Sequence, residues 1–413
     1  MQTSKAAPPY PVRLAYIVSH PIQYQAPLLR RIAQERDIDL TVFFGSDFSL
    51  RGYSDKGFGV GVKWDVPLVE GYKHEFLPVL KDDAIVTPTR PLNSGIFRRL
   101  KGKDGAPPFD ALWIHGYSSV NSLHAMIAAK ALGIPVLLRA EPWLSDRLRT
   151  PLTLWTKQFY FQLIRNLVSC VLPIGTLNRA YWDYYLGDDF PKWTMPYAVD
   201  NDYFQRRSRE AVPGRAELQT ELRLDPGRPV ILFASKLQTR KRCIDLLEAY
   251  LALAPAPGVE PHPYLLIVGD GEERQALEQR AAQSGFSSIR FCGFRNQSEL
   301  PRFFNLASVF VLPSRHEPWG LIVNEVMNAA CPVILSDDVG CHPDLVTEAV
   351  EGYLYPVGDV PALTSALRRL FAIPENAEHM GQNALRRIQA WNFEEDVRAL
   401  RQALATLTGK IRI

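Results

Sequence analysis

The sequence predicts an α/β protein made of two doubly wound domains. Three observations predict it: short, near-continuous apolar runs rich in β-branched and aromatic residues, longer helical patterns between them, and a break in that alternation around residue 200. Strands apolar on both faces belong to parallel sheets covered by helices on each side. At 413 residues the chain also exceeds what one core usually supports, so two domains are the default.

The first series of strand-like runs is "RLAYIV" (13–18), "DLTVFF" (39–44), "ALWIHG" (111–116), "PVLLRA" (135–140) and "SCVLPIG" (169–175). The second is "PVILFAS" (229–235), "PYLLIVGD" (263–270), "SIRFCGF" (288–294), "SVFVLPS" (308–314) and "PVILSD" (332–337). Between the series, 195–229 is polar and turn-rich, which sets a first domain at 1–199 and a second at 200–392. The amphipathic pattern from about 393 to 413 needs an apolar partner surface and can pack back on the first domain. A long loop, 45–64, is unusual for a compact domain and is therefore functional or mobile.

Composition excludes several classes. A net charge of +3 gives no reason to expect nucleic acid. Five scattered cysteines without a C-x-x-C pair suit reduced thiols, and the N-terminus lacks an apolar secretory core, so a cytoplasmic protein is expected. No uncharged apolar run reaches the roughly 18 residues of a membrane span. Asp37-Ile38-Asp39 spells D-x-D but precedes a strand, so it reads as a turn, and no metal is expected.

The chemistry is densest in the second half. Lys236 directly follows the strand "VILFAS" and Lys241 comes five residues later, which brings both cations to the carboxyl edge of the sheet, where open α/β folds bind ligands. A solvated surface run is the other reading of "KLQTRKR". In "SRHEPWGLIVNEVMNAA", Glu317 sits in a loop, Gly320 and Leu321 open a helix, and Glu325 lies about one and a half turns into it. Carboxylates beside an anion-attracting helix start suit hydroxyl groups of a sugar or ribose, because an ionised carboxylate only accepts hydrogen bonds. Alternatively, Glu325 is tied up within its own helix.

"SRHEPWGLIVNE" resembles the E-x7-E signature of family 4 retaining glycosyltransferases. The resemblance extends through "VILFASKLQTRKR", "LLIVGDGEER", "FCGFRNQSELPRFFNLASVFVLPS", "PVILSDDVGCHPDLV" and "EGYLYPVGD", and in the first half through "FDALWIHGYSSVNSLHAMIAAKALGIPVLL". It implies the GT-B fold, two Rossmann-like domains facing a central cleft. It further implies that Lys236 and Lys241 bind the donor diphosphate, Glu317 the transferred sugar and Glu325 the nucleotide ribose, with Gly320 and Leu321 in the donor site. His115 matches the N-domain histidine near the reacting sugar. Two departures stand out: Lys236 replaces the usual Arg, so a point charge replaces a bidentate fork, and the usual Gly-Gly is Gly340-Cys341.

Where a nucleotide-binding turn would carry glycines, the first strand is followed by "SHPIQYQAP", which makes His20, Gln23 and Tyr24 candidates for meeting the acceptor, or the phosphate from the opposite side. Buried packing is the alternative for His20 and Tyr24. Glu141 in "RAEPW" is the nearest candidate nucleophile, yet front-face transfer is favoured, with the departing diphosphate helping to deprotonate the acceptor.

The expected enzyme is thus a metal-independent retaining glycosyltransferase without a cofactor. Its substrates would be a UDP- or GDP-linked sugar and a glycan or lipid-linked acceptor, in cell-surface polysaccharide or glycolipid synthesis. The alternatives are a sugar-nucleotide epimerase or hydrolase and a non-catalytic sugar-binding protein. The segment 147–168 mixes basic and aromatic residues: it suits a helix on the anionic inner face of the cell membrane or a buried helix equally well.

Overall fold

The computed structural model describes residues 10–55, 57, 59–81, 85–102, 108–253 and 262–411. Two six-stranded parallel sheets form its frame. The first contains β1 (Val12–Val18), β2 (Ile38–Phe44), β3 (Lys73–Phe76), β4 (Ala111–His115), β5 (Val136–Arg139) and β6 (Cys170–Val171) in the order β6-β5-β4-β1-β2-β3. The second contains β7 (Val230–Ala234), β8 (Tyr264–Val268), β9 (Ile289–Gly293), β10 (Val309–Leu312), β11 (Val333–Ser336) and β12 (Gly352–Tyr355) in the order β9-β8-β7-β10-β11-β12. Both are therefore the doubly wound order 3-2-1-4-5-6, whose switch point lies between its first and fourth strands.

Proline sets several strand starts. Pro135, Pro229, Pro263 and Pro332 each immediately precede a strand, where a missing N–H breaks no ladder bond. Pro173 cuts the run "SCVLPIG" down to the two residues of β6. The edge strands β3 and β12 escape the apolar pattern: "KHEF" is polar and half exposed, and "GYLY" is a four-residue run starting at Gly352.

One face of the first sheet is covered by α2 (Ile96–Lys101), α3 (Val120–Ala131), α4 (Pro151–Leu167) and α5 (Thr176–Leu186), which share a core with Ile17, Leu112 and Ile114. The other face is covered by α1 (Gln25–Ile32) and α8 (Phe393–Thr408), whose Val397, Leu400 and Leu404 pack with Leu14, Tyr16 and Leu28. Asn392 caps α8 by accepting from the N–H groups of Glu394 and Glu395, and the buried Arg139–Asp396 pair, 3.4 Å apart, ties α8 to β5. In the second half, α6 (Cys243–Leu251) and α7 (Leu321–Met327) pack on opposite faces of the second sheet. The residues before β7 belong with this sheet: Val199, Phe204 and Leu218 join its core. Trp391 stacks on Trp319 at 5.6 Å as the chain crosses back toward the first domain.

Candidate active site

The two switch points face each other across a cleft that encloses about 490 Å³. That is within the usual range for a small-molecule site. From the second sheet come Ser235 and Lys236 after β7, Glu317 to Gly320 after β10, and Leu321 and Glu325 of α7. From the first come Gln23 and Tyr24 before α1 and Glu141 after β5.

Two glycines let the loops close on one another. Gly269, at φ +136°, lies so near the turn after β7 that a Cβ would sit 1.9 Å from the Ser235 carbonyl oxygen. At Gly340 a Cβ would sit 2.0 Å from the Pro318 carbonyl oxygen, while its N–H donates to the Glu317 carbonyl at 2.9 Å. The Gly340-Cys341 pair therefore retains the one glycine that the Glu317 loop requires for close backbone approach.

Charge in the cleft is unevenly satisfied. Glu317, mostly buried, pairs with the Nζ of Lys241 and lies 3.4 Å from the Arg240 guanidinium. Burial pulls the Lys241 pKa below its ordinary value; Glu317 opposes this, while Arg240 and Lys236 add repulsion. Glu325 is fully buried in the short helix α7, and neither of its carboxylate oxygens has a hydrogen-bond partner. Burial pushes its pKa up to about 8, although the Tyr24 hydroxyl and Gln297 stand near enough to offset part of that rise. An orphaned carboxylate in a cleft is the kind of buried group that needs an explanation, and a hydroxyl-bearing ligand supplies one.

His115 and Glu141 form a second cluster. The His115 Nε2 lies 3.4 Å from Glu141, and the Tyr197 hydroxyl donates to the same carboxylate at 2.5 Å. Burial works to raise the Glu141 pKa, but His115, Tyr197 and Arg139 together hold it below the ordinary carboxylate value. His115 does not itself line the cleft; it stands behind Glu141.

Of the turn "SHPIQYQAP", Gln23 and Tyr24 reach the cleft and His20 does not. The His20 ring packs on Phe48 at 4.6 Å, and its Nδ1 lies 2.9 Å from the Ser19 hydroxyl, so the imidazole is engaged within its own domain. This corrects its placement as an acceptor-side group. Tyr24 faces Glu325 across the domain boundary, on the side expected for ribose.

Sequence reasoning missed Arg240, Tyr53, Trp64, Arg295 and Gln297, all of which line the cleft. Arg240 sits in the same "TRKR" run as Lys241. Tyr53 and Trp64 belong to the 45–64 segment, which is not the expected loop but a short helix (Phe48–Arg51) followed by a two-stranded hairpin (Tyr53–Asp55 with Val60–Val62); it reaches the second domain, where the Asn296 side chain donates to the Lys63 carbonyl at 2.8 Å. Arg295 and Gln297 follow β9 at the sheet's carboxyl edge, which was signal enough to consider them. Among the described residues, no three His, Cys, Asp or Glu side chains come together as a metal site.

Two facing doubly wound domains with a polar cleft at their switch points define the GT-B architecture. Residues 214–387, most of the C-terminal domain, match the family described as glycosyl transferases group 1. The chain is 30% identical over 185 residues to an alpha-D-kanosaminyltransferase of Streptomyces kanamyceticus, covering 45% of this chain and 46% of that protein. It is 28% identical over 279 residues, 66% of each chain, to a GDP-mannose-dependent alpha-mannosyltransferase of Mycobacterium tuberculosis. The chain thus spans about half of the first relative and just under two thirds of the second. Among solved structures, Anabaena Alr3699/HepE in complex with UDP superposes with a TM-score of 0.70 at 15% identity, over 96% of this chain and 100% of that one. That likeness covers both domains and shows the shared fold.

Proposed function

We propose that this protein is a retaining glycosyltransferase that moves a sugar from a nucleoside diphosphate to an acceptor hydroxyl on a glycan or lipid-linked molecule. The observation that carries this reading is the cleft in which Lys241 and Arg240 meet Glu317 beside Lys236, with the partnerless Glu325 on the same wall. Cations suit a diphosphate, and carboxylates suit sugar and ribose hydroxyls. The group 1 match and the transferase names of the relatives support it. The UDP held by one structural neighbour and the GDP-mannose named for one relative keep both bases open.

In this mechanism the acceptor oxygen bonds to the anomeric carbon on the face that the diphosphate leaves. The anomeric carbon–oxygen bond to phosphate breaks, and the acceptor proton passes to the departing phosphate oxygen. Lys236 and Lys241 stabilise the charge that accumulates there. Glu141 already accepts from Tyr197 and lies beside His115, which suits orienting an acceptor hydroxyl better than attacking carbon.

Incubation with individual UDP- and GDP-sugars, with and without glycan or lipid-linked acceptors, tests the proposal. Transfer with retained configuration is expected, with slow hydrolysis to nucleoside diphosphate when acceptor is absent. Release of an epimerised free sugar would instead indicate an epimerase, and binding without turnover a sugar-binding protein. Because side-chain cations supply the positive field, activity is expected to survive excess EDTA; complete loss restored by Mg²⁺ or Mn²⁺ would overturn metal independence.

Since Tyr24 abuts Glu325, the Gln23→Ala/Tyr24→Ala variant is expected to weaken donor binding roughly tenfold. Transfer should fall in parallel. Calorimetric titration of the nucleoside diphosphate beside a transfer assay checks this: unchanged donor affinity with lost transfer would return the turn to the acceptor.

A further inference from the structure

The outer surface of α2, α3 and α4 combines two properties. It is apolar where a soluble surface is normally polar. Leu152, Trp155, Phe159 and Leu163 recur at helical spacing along one stripe of α4, Leu148 stands exposed just before the helix, and Leu148, Trp155 and Phe159 are 91%, 70% and 73% exposed. Val120 and Ile127 of α3 and Phe97 of α2 continue the exposed apolar surface on the same side of the domain. Residues 151–156 are exposed all round, so the start of α4 stands clear of the core. Only Phe161 and Ile164 of that helix are fully buried.

The second property is its charge. Neither α2, α3 nor α4 contains an Asp or Glu. Exposed cations flank the stripe: Arg98 and Lys101 on α2 and Lys130 on α3, while Arg147, just before α4, is exposed but lies 3.6 Å from Asp146. Arg99 and Arg165 are paired with Glu75 and Asp189, and Lys157 turns inward over the Tyr181 ring at 4.7 Å, so these three are already engaged.

We infer that this face docks on an anionic lipid surface. Trp, Phe and Leu side chains on a helix lie well in the interfacial zone of a bilayer, and cations around them are drawn to anionic headgroups. A second copy of the chain fits less well, because a symmetric pairing of this face sets like charges against each other. No helix among the described residues is long and apolar enough to cross a membrane, so the contact is peripheral. The face also adjoins the cleft: the loop leading into α4 carries Glu141, which lines the cleft, and Trp143, whose Nε1 donates to the Glu317 carbonyl at 3.3 Å, before Leu144 and Leu148 emerge on the surface. Docking would therefore hold the cleft beside the membrane.

Co-sedimentation of the full chain with phosphatidylcholine vesicles, with and without phosphatidylglycerol, tests the inference. Binding to the anionic vesicles at least about tenfold stronger than to neutral ones, and weakened by salt, is expected. Trp155→Ser/Phe159→Ser should reduce that binding about tenfold or more without lowering the melting temperature, since both side chains are exposed. Arg98→Glu/Lys101→Glu/Lys130→Glu should abolish the preference for anionic lipid. Absence of binding, or equal binding by the wild type and both variants, would overturn the inference. So would a concentration-dependent dimer, seen by ultracentrifugation and lost in Trp155→Ser/Phe159→Ser, which would assign the face to a second copy. Vesicle binding is read without substrate, so its failure and failure of the proposed reaction are separate results.

Discussion

Replacing Lys241 with alanine is expected to lower turnover about 100-fold or more, the scale on which enzymes lose rate when a preorganised partner of developing negative charge is removed. The structure adds a second reason. Lys241 is buried and paired with Glu317, so its removal leaves that carboxylate with only the Arg240 guanidinium, 3.4 Å away. A buried carboxylate that loses its main counter-charge is destabilised where it stands, and the group proposed to hold the transferred sugar is then displaced. Lys236→Ala should cost a similar factor without disturbing Glu317. Single-turnover rates beside melting curves check both: a folded Lys241→Ala protein with wild-type turnover would remove the diphosphate assignment.

Glu325→Gln is expected to produce the largest change in pH dependence. The native carboxyl keeps its proton up to about pH 8, whereas in the unfolded chain it ionises near its ordinary value. Between those values the native state binds more protons than the unfolded one, so the wild-type protein loses stability as pH rises through that window. Its full contribution is present only below the unfolded pKa. Across the window the loss amounts to a few kcal/mol by pH 9. The neutral glutamine cannot ionise. The variant should therefore melt close to the wild type at pH 5 and several degrees above it at pH 9; a gap independent of pH would contradict the buried protonated state. The same proton governs the ligand. Ribose hydroxyls favour the ionised carboxylate, so wild-type affinity for a nucleoside diphosphate should rise with pH up to about 8. The variant's affinity should be weaker and flat over that range.

Much of this was legible in the sequence because it is written in local chemistry. Ten of the twelve sheet strands stand out as apolar runs, since a strand buried on both faces must be apolar throughout. The two that do not are β3, a polar, half-exposed edge strand, and β12, an edge strand of only four residues that starts at Gly352. Lys236, Lys241 and Glu317 were placed at the cleft from their position after predicted strands, where side chains of a parallel sheet converge, and Glu325 from its place in the helix that follows. His20 was misjudged for a related reason. Its place after β1 is right for a cleft, but the direction in which a turn aims its side chain depends on a partner 28 residues away, Phe48, which pattern alone does not reveal.

What the sequence by itself determined is the α/β class, the two strand series and the group of charged residues available to a ligand, because each follows from hydrophobic period and from the residue's own functional group. Only the tertiary structure decided which groups share one cavity and in what ionisation state. Glu325 is an ordinary carboxylate in a helix until the assembled fold removes it from water, with Tyr24 and Gln297 brought beside it from distant segments. The exposed stripe on α4 is the converse case. Its residues suit a core or a membrane equally by composition, and only the packing of α3 and α5 against one side of that helix leaves Leu152, Trp155 and Phe159 facing outward. Burial is a property of the assembled fold, and both the raised carboxyl pKa and the uncovered apolar face are consequences of burial.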